Sequence, residues 1–399
     1  MSQKIPHLLA TAPLAPVEIT HAQGTRLHAA DGKVYVDLDA AEWCMALGHS
    51  HPAVAACIHE QMGKVMHLGP LVASPVVESA AATLAGHTPH PDGKVIFLSS
   101  GTEAMEMGLR LSRLITGRTR FLTFQKGYLG AYGLSGTDFG DTRTEIDLAP
   151  CLGCTRADCT AACPNLEGLK PSEIAAFAWE PVLGSSAAEP PHKLVRLLTD
   201  LVQEAGGLAV VDEVTTGMGR TGSWWGFEHA GVTPDIIACG KALGNGYPVS
   251  AVILSPAAAA AVEASGFRYA QSHQNDPLAA AVAQTVIDTL EATGLIEQAA
   301  LLGEALGAGL RWLAERHPLV VGLRGVGLMR NIQLKPFGVN GQTAVELVRQ
   351  QMLARGYILV AKPAVSQIRL MPPLIITAAE VAAVVDGLDE ALTSVEQLL

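Results

Sequence analysis

Short apolar runs alternate with longer amphipathic ones along most of the chain. KVIFLSS (94–100), TRFLTF (119–124), IAAFAWEP (174–181), LAVVDEV (208–214), DIIACG (235–240) and VSAVILS (249–255) read as strands. Several are apolar at every position, the pattern of a central sheet covered on both faces. TEAMEMGLRLSRLITG (102–117) follows the first strand with helical spacing, and KLVRLLTDLVQEAG (193–206) is an amphipathic helix closed by glycine just before the strand at 208. This alternation predicts an α/β fold with a mostly parallel central sheet flanked by helices.

Beyond about residue 277 the texture changes. Long helices are predicted at 277–292 and 296–317, short strands within LVVGLRGVGLMRNIQL, a helix near 343–355, a strand through QIRLM, and a last helix from about 378. Near the other end, GTRLHAADGKVYVDLD reads as a β-hairpin. The expected organisation is a large domain over 46–290 and a smaller α+β domain built from 1–45 and 291–399. No internal repeat is visible.

The 399 residues are 49% hydrophobic and 16% charged, ample for a large core and unlike a disordered chain. A net charge of -11 argues against nucleic acid or an anionic membrane surface as partner. No stretch reaches the roughly 18 apolar residues of a membrane span; AVILSPAAAAAVEASG comes nearest, and Ser255, Pro256 and Glu263 interrupt it. Pro6, Pro13 and Pro16 break any leader-like run in the first 20 residues. The chain reads as cytoplasmic, where thiols stay reduced.

Three segments place chemistry at strand ends. In LSSGTEAME a strand stops at Ser-Gly-Thr and opens a helix, which points backbone N–H groups outward toward an anion such as phosphate. The plain alternative is Thr102 as an N-cap beside Gly101 in a tight turn. In AVVDEVTTGMGRTG, Asp212 and Glu213 end an apolar strand, where a carboxylate is costly unless paired; both acids exposed in a loop is the alternative. In PDIIACGKALGNGYPVSAV, Lys241 stands among Cys239, Gly240, Ala242 and Leu243. Such surroundings lower an ammonium's pKa and suit it to Schiff-base chemistry, although a lysine beside glycines is commonly a loop residue. Together, an anion-binding turn, a buried acid and a desolvated lysine are the equipment for pyridoxal phosphate.

The chain resembles the class III aminotransferases, the ornithine, acetylornithine and ω-amino-acid group of the fold-type I pyridoxal-phosphate enzymes. The likeness runs from ADGKVYVDLDA and ALGHSHPAV through SSGTEAMEMGLRLSRLITGR, WEP, VVDEVTTGMGRTG and PDIIACGKALGNGYPVSA to RGVGLM and IRLMPPL. It implies that Lys241 binds the cofactor's aldehyde and shuttles a proton, while Asp212 keeps the pyridine nitrogen protonated. Val214 and Tyr128 would pack on the two ring faces. Ser100, Gly101 and Thr102 would form the phosphate turn, and Glu180 would line the site. Ser272 falls where the family has a threonine reaching the partner subunit's phosphate, implying a homodimer with shared sites. Thr215 stands where a glutamine near the phenolic oxygen is common. Arg369, in IRLMPPL, matches an arginine that clamps a substrate carboxylate; an arginine capping the small domain is the alternative.

This sequence also departs from the family. Leu129 replaces an aromatic or histidine after Tyr128, VLGSSAAEPPHK replaces a glutamine–glycine segment after Glu180-Pro181, and His273 and Asp276 stand where phenylalanine and asparagine are common. These positions shape substrate pockets, so no subfamily's donor transfers to this chain.

The loop at about 140–172 contains CLGCTRADCTAACPN, with Cys151, Cys154, Cys159 and Cys163 in C-x2-C-x4-C-x3-C-P spacing. Transamination does not require it. An iron–sulfur cluster is favoured by four thiolates and the closing Cys-Pro, although the middle spacing is longer than the bacterial run. Zinc, the second choice, is favoured by the opening C-x2-C and disfavoured by the lack of a second one. Four free or partly oxidised thiols in a surface loop are the third reading. His49 and His51 read as packing rather than metal ligands, Trp224 and Trp225 as core or pocket wall, and Cys44, Cys57 and Cys239 as small buried hydrophobes.

The reading is an aminotransferase moving an amino group from an amine or ω-amino acid to an oxo acid by a ping-pong route. Two alternatives stay open: an intramolecular aminomutase of the glutamate-semialdehyde type, and a metal- or redox-sensing relative without turnover.

Overall fold

A computed structural model describes residues 7, 9, 16–136 and 140–398, residue 141 by its backbone only. Most of the first 15 residues, Pro6 and Pro13 among them, therefore lie outside the described residues. The six apolar runs form strands at Lys94–Leu98, Arg120–Phe124, Ile174–Trp179, Leu208–Asp212, Ile236–Cys239 and Ser250–Leu254. A seventh, Arg143–Ile146, completes one sheet in the order 94–98, 250–254, 236–239, 208–212, 174–179, 120–124, 143–146. Only Ser250–Leu254 runs against the rest, pairing antiparallel with both neighbours.

Alternate residues of one strand serve different cores, because successive side chains leave opposite faces. Val211, Ile237 and Ile253 pack with Leu194, Leu198 and Val202 of helix His192–Glu204 and with helix Pro277–Thr293. Val210, Ala238 and Val252 pack with Met105, Leu109 and Leu111 of helix Gly101–Thr116. The sheet is thus covered on both faces, which explains its continuous apolar runs.

The chain ends meet. Strands Ile19–Gln23, Arg26–Ala29 and Val34–Asp37 form a sheet that takes Tyr357–Ile358 as its fourth strand, parallel to 34–37. A second four-stranded sheet joins Val320–Arg324, Arg330–Leu334, Gln367–Leu370 and Val360–Lys362. Helices Leu295–Arg316, Ala344–Ala354 and Ala378–Glu396 accompany these strands, the last two opened by capping boxes at Thr343 and Thr377. Among the described residues, no helix is long and apolar enough to cross a membrane.

Candidate active site

Six strands point one way, so their carboxyl ends open on one edge, where ligands of such sheets bind. That edge receives Ser100–Thr102 after strand 94–98, Tyr128 after 120–124, Glu180 after 174–179, Asp212 at the end of 208–212, and Lys241 after 236–239. The sheet therefore gathers residues spread over more than a hundred positions of sequence.

The phosphate-type turn is built as the start of a helix. Ser100, rather than Thr102, is the N-cap, its Oγ accepting from Glu103 N at 3.3 Å. Ser250 Oγ donates to Ser100 O at 2.7 Å and fixes the turn to the neighbouring strand. The helix's first N–H groups, at Gly101 and Thr102, have no helical carbonyl before them and present a partial positive charge. The Thr102 hydroxyl instead accepts from Ala131 N at 3.1 Å, anchoring the loop that carries Tyr128. Gly101 is required by close approach, since a Cβ there would stand 2.5 Å from Val214 Cγ1.

Asp212 and Glu213 are adjacent but do different work. Glu213 accepts from Thr216 Oγ1, Gly226 N and Phe227 N, fastening the glycine-rich turn beneath the site. Asp212 faces the opposite way, its Oδ1 accepting from Val214 N at 3.0 Å. Burial pushes the Asp212 carboxyl well above its ordinary range, and the charge of Glu180 adds to this. Glu180 accepts from Tyr128 N at 2.7 Å and Gly184 N at 2.8 Å, and burial pushes it up to about 7. Burial also lowers the Lys241 ammonium, with Asp212 and then Cys44 and Glu180 opposing. Lys241 has a φ of 43°, left-handed for a non-glycine residue, and its Nζ donates to Thr215 Oγ1 at 3.0 Å. Lys241 and each of the two acids thus favour the other's charged form, against the burial that opposes it.

Arg369 lies across from this set. It is buried, yet its contacts are long: Nη1 to Gly184 O at 3.4 Å, and Nη2 to Glu42 Oε1 at 3.6 Å and Asp39 Oδ1 at 4.0 Å. Among the described residues its Nε has no hydrogen-bond partner. A buried guanidinium so loosely satisfied is a ready receptor for an anion.

Between the two cations stands Trp43, which the sequence reading did not single out. Lys241 Nζ lies 4.4 Å and the Arg369 guanidinium 4.5 Å from its ring centroid. Trp43 ends a run of four residues, Ala40 to Trp43, all with positive φ (51°, 49°, 55° and 73°). Asp37 holds the run, its Oδ1 accepting from Asp39 N and Ala40 N, while Asp39 accepts from Glu42 N. Asn245 docks this segment on the lysine loop, accepting from Leu47 N and donating to Gly48 O. No glycine marks the run, so only the tryptophan itself could have signalled it.

The remaining expected residues fall as follows. Tyr128 is 55% exposed, while Leu129 is buried in the core. Ser272 is exposed beside a cluster in which Asp276 takes hydrogen bonds with His67 Nδ1 (2.7 Å) and His273 Nδ1 (2.8 Å). His49 bridges to Asp37 at 2.7 Å, Trp225 is buried, and Trp224 stacks on His87. Cys239 is buried as expected, but Cys44 and Cys57 are only half-buried. The four loop cysteines are unlinked.

Comparison with known proteins agrees with this geometry. The sequence pattern of the class III aminotransferases matches residues 10–392. An acetylornithine aminotransferase of Mycobacterium tuberculosis is 33% identical over 95% of this chain and 92% of its own. That of Methanopyrus kandleri is 34% identical over 80% of this chain and 81% of its own. Among solved structures, an amine transaminase from an uncultivated Pseudomonas species, with pyridoxal phosphate bound, is 26% identical with a TM-score of 0.86, covering 99% of this chain and 100% of that one. A transaminase from the marine bacterium Virgibacillus gives 26% and 0.86 over 96% of this chain and 94% of that one. On its sequence along nearly the whole length, and on a fold-type I architecture to match, the chain belongs to the class III aminotransferase family.

Proposed function

We propose that this aminotransferase takes an amino group from an amine or ω-amino acid and gives it to an oxo acid in two alternating half-reactions, with pyridoxal phosphate as the carrier. The observation that carries this reading is the pairing of a desolvated lysine with a loosely satisfied buried arginine across one tryptophan ring. The residues fit the cofactor: a helix N-terminus for the phosphate, a close-packed Gly101 against Val214, a buried carboxylate, and a lysine of lowered pKa.

Pyridoxal phosphate, when bound, supplies an electrophilic carbon for the amine and a ring that draws off the electron pair left by proton loss. Lys241 serves as covalent anchor and then, released, as the base that moves a proton from the amine carbon; its lowered pKa keeps a neutral fraction available. Asp212, resisting ionisation alone, would ionise opposite a cationic ring nitrogen and keep the proton there. Gly101 and Thr102 take the phosphate through backbone N–H groups, with Ser100 shaping the turn. Val214 and Tyr128 would flank the ring. Thr215 orients the Lys241 amine, and Glu180 holds the loop of Tyr128. Arg369 clamps a carboxylate of donor or acceptor.

A homodimer completes the site in this reading, with Ser272 reaching the partner's phosphate. Its support is an apolar surface at Met62, Met66, Leu71 and Val72, exposed by 52–94%, tied to the Ser272 loop through His67 and Asp276. Neither alternative gains a specific observation: the relatives compared are aminotransferases, and Lys241, Asp212 and Arg369 are all in place.

Borohydride reduction followed by peptide mass spectrometry should find the cofactor on Lys241. An amine alone should convert the bound cofactor to its amino form, and an oxo acid should restore it. Attachment at another lysine would overturn the assignment, and turnover of a single substrate with no acceptor would point to the aminomutase.

A further inference from the structure

The four-cysteine stretch is unused by the reaction above, yet it is firmly held at its ends. Ile146, Leu148, Leu166 and Ile174 are buried in the main core on either side of it, and Cys151, Cys159 and Cys163 pack against that core. Between them, residues 153–163 form no helix or strand. Asn165 Nδ2 donates both to Asp147 O at 2.8 Å and to Cys151 Sγ at 3.2 Å, drawing the two ends of the loop together. Lys193, from the helix beneath, donates to the carbonyls of Cys154 and Arg156 and brings a positive charge near Cys159. The four thiols lie within thirteen residues of sequence, and three of them pack against the same core.

We propose that Cys151, Cys154, Cys159 and Cys163 ligate an iron–sulfur cluster that clips this loop to the body of the enzyme. An irregular segment rich in small residues cannot offset its ordering entropy by burial, and no disulfide among the seven free cysteines does so instead. Four thiols, each losing a proton on binding, provide the missing cross-link. The pattern of the loop selects the kind of metal. The second C-x2-C knuckle common in four-cysteine zinc sites is lacking, since only Cys151 and Cys154 stand at that spacing. Four thiols within thirteen residues, closed by Cys163-Pro164, resemble the run that holds an iron–sulfur cluster. The Asn165 amide and the Lys193 ammonium then serve as donors to the sulfurs and their carbonyls.

The clip has a position relevant to the substrate. Leu148, Ala149 and Leu152 form one wall of a cavity of about 390 Å³ whose opposite wall includes Leu183, Ser185 and Ser186. That opposite segment carries the Gly184 carbonyl facing Arg369 and the Gly184 amide facing Glu180. Ordering of the loop by the cluster therefore steadies the carboxylate side of the site. This consequence rests on the aminotransferase reading; the metal itself does not.

The experiment is iron, zinc and acid-labile sulfide per chain in wild-type protein purified without oxygen, alongside Cys163→Ser, Cys57→Ser and Lys241→Ala. The expected result is iron and sulfide in equal amounts in the wild type, Cys57→Ser and Lys241→Ala, and a loss of about tenfold or more in Cys163→Ser with its pyridoxal phosphate retained. Zinc without sulfide, or no metal in the wild type, overturns the cluster. Should Cys163→Ser be insoluble, the wild-type content decides alone. Because Lys241→Ala tests the cofactor lysine separately, iron retained there alongside lost turnover distinguishes the two assignments.

Discussion

The lysine site and the cysteine loop both bring distant chemical groups together, but by opposite means. At the lysine site, five strand ends fix Gly101, Tyr128, Glu180, Asp212 and Lys241 against buried cores on both sheet faces. Each group is located before any ligand arrives, so the scaffold can hold a strained Lys241 and two buried acids of raised pKa. The cysteine loop has anchored ends and an irregular middle, with its thiols placed by local turns such as Cys154 N to Cys151 O and Cys163 N to Thr160 O. A preorganised site governs what the molecule does. A site that depends on its ligand for order governs when a region is firm.

The comparison predicts that substitutions separate by region. Lys241→Ala should lower kcat by at least about 1,000-fold, ~4 kcal/mol, with an unchanged circular-dichroism spectrum. Turnover within tenfold of wild type would remove Lys241 from the chemistry. Arg369→Ala should raise KM for carboxylate substrates by about 100-fold and leave simple amines nearly unaffected, since a charged hydrogen-bond partner contributes about 1.5–3 kcal/mol. Equal effects on both classes would leave Arg369 a packing residue.

In the loop region, Leu166→Ala removes a buried anchor and should cost about 2–3 kcal/mol, seen as a lower Tm and faster proteolysis near residues 151–163. Chemistry should survive it. If turnover fell as far as in Lys241→Ala, the two regions would not be separable. The smallest effect belongs to Glu213, whose carboxyl is pushed up to about 7 from an ordinary 4.5 by burial. In that window the folded chain binds more protons than the unfolded one, so stability falls as pH rises through it. Between about pH 6 and pH 8 this group should contribute a loss of ~1 kcal/mol, which Glu213→Gln removes; an unchanged pH slope in the variant would refute it.

Much of the lysine site was legible because its strands are continuous apolar runs and its functional residues stand at their ends. The same logic misses Arg143–Ile146, an edge strand reading Arg-Thr-Glu-Ile, in which Ile146 alone is apolar while Arg143 turns inward to the Leu134 and Ser135 carbonyls and Glu145 is exposed. Trp43 and Glu42 were missed for a different reason: positive φ at alanines, a glutamate and a tryptophan is not signalled by those residue types, and the backbone is set by the Asp37 and Asp39 carboxylates and by the docking of Leu47 and Gly48 on Asn245. Asp212 and Glu213 could not be told apart by sequence position alone, because which one faces the lysine depends on where the glycine-rich turn offers its amides.

The four left-handed residues before Cys44 have a consequence for anyone improving this enzyme. L-residues in that conformation cost about 1–2 kcal/mol each, and glycine does not carry the penalty. A screen for heat resistance would therefore favour glycine at Ala40 and Ala41. The same relief would loosen the backbone that holds the Trp43 ring beside Lys241 and Arg369. Heat resistance and the placing of that ring draw on a single stretch of backbone.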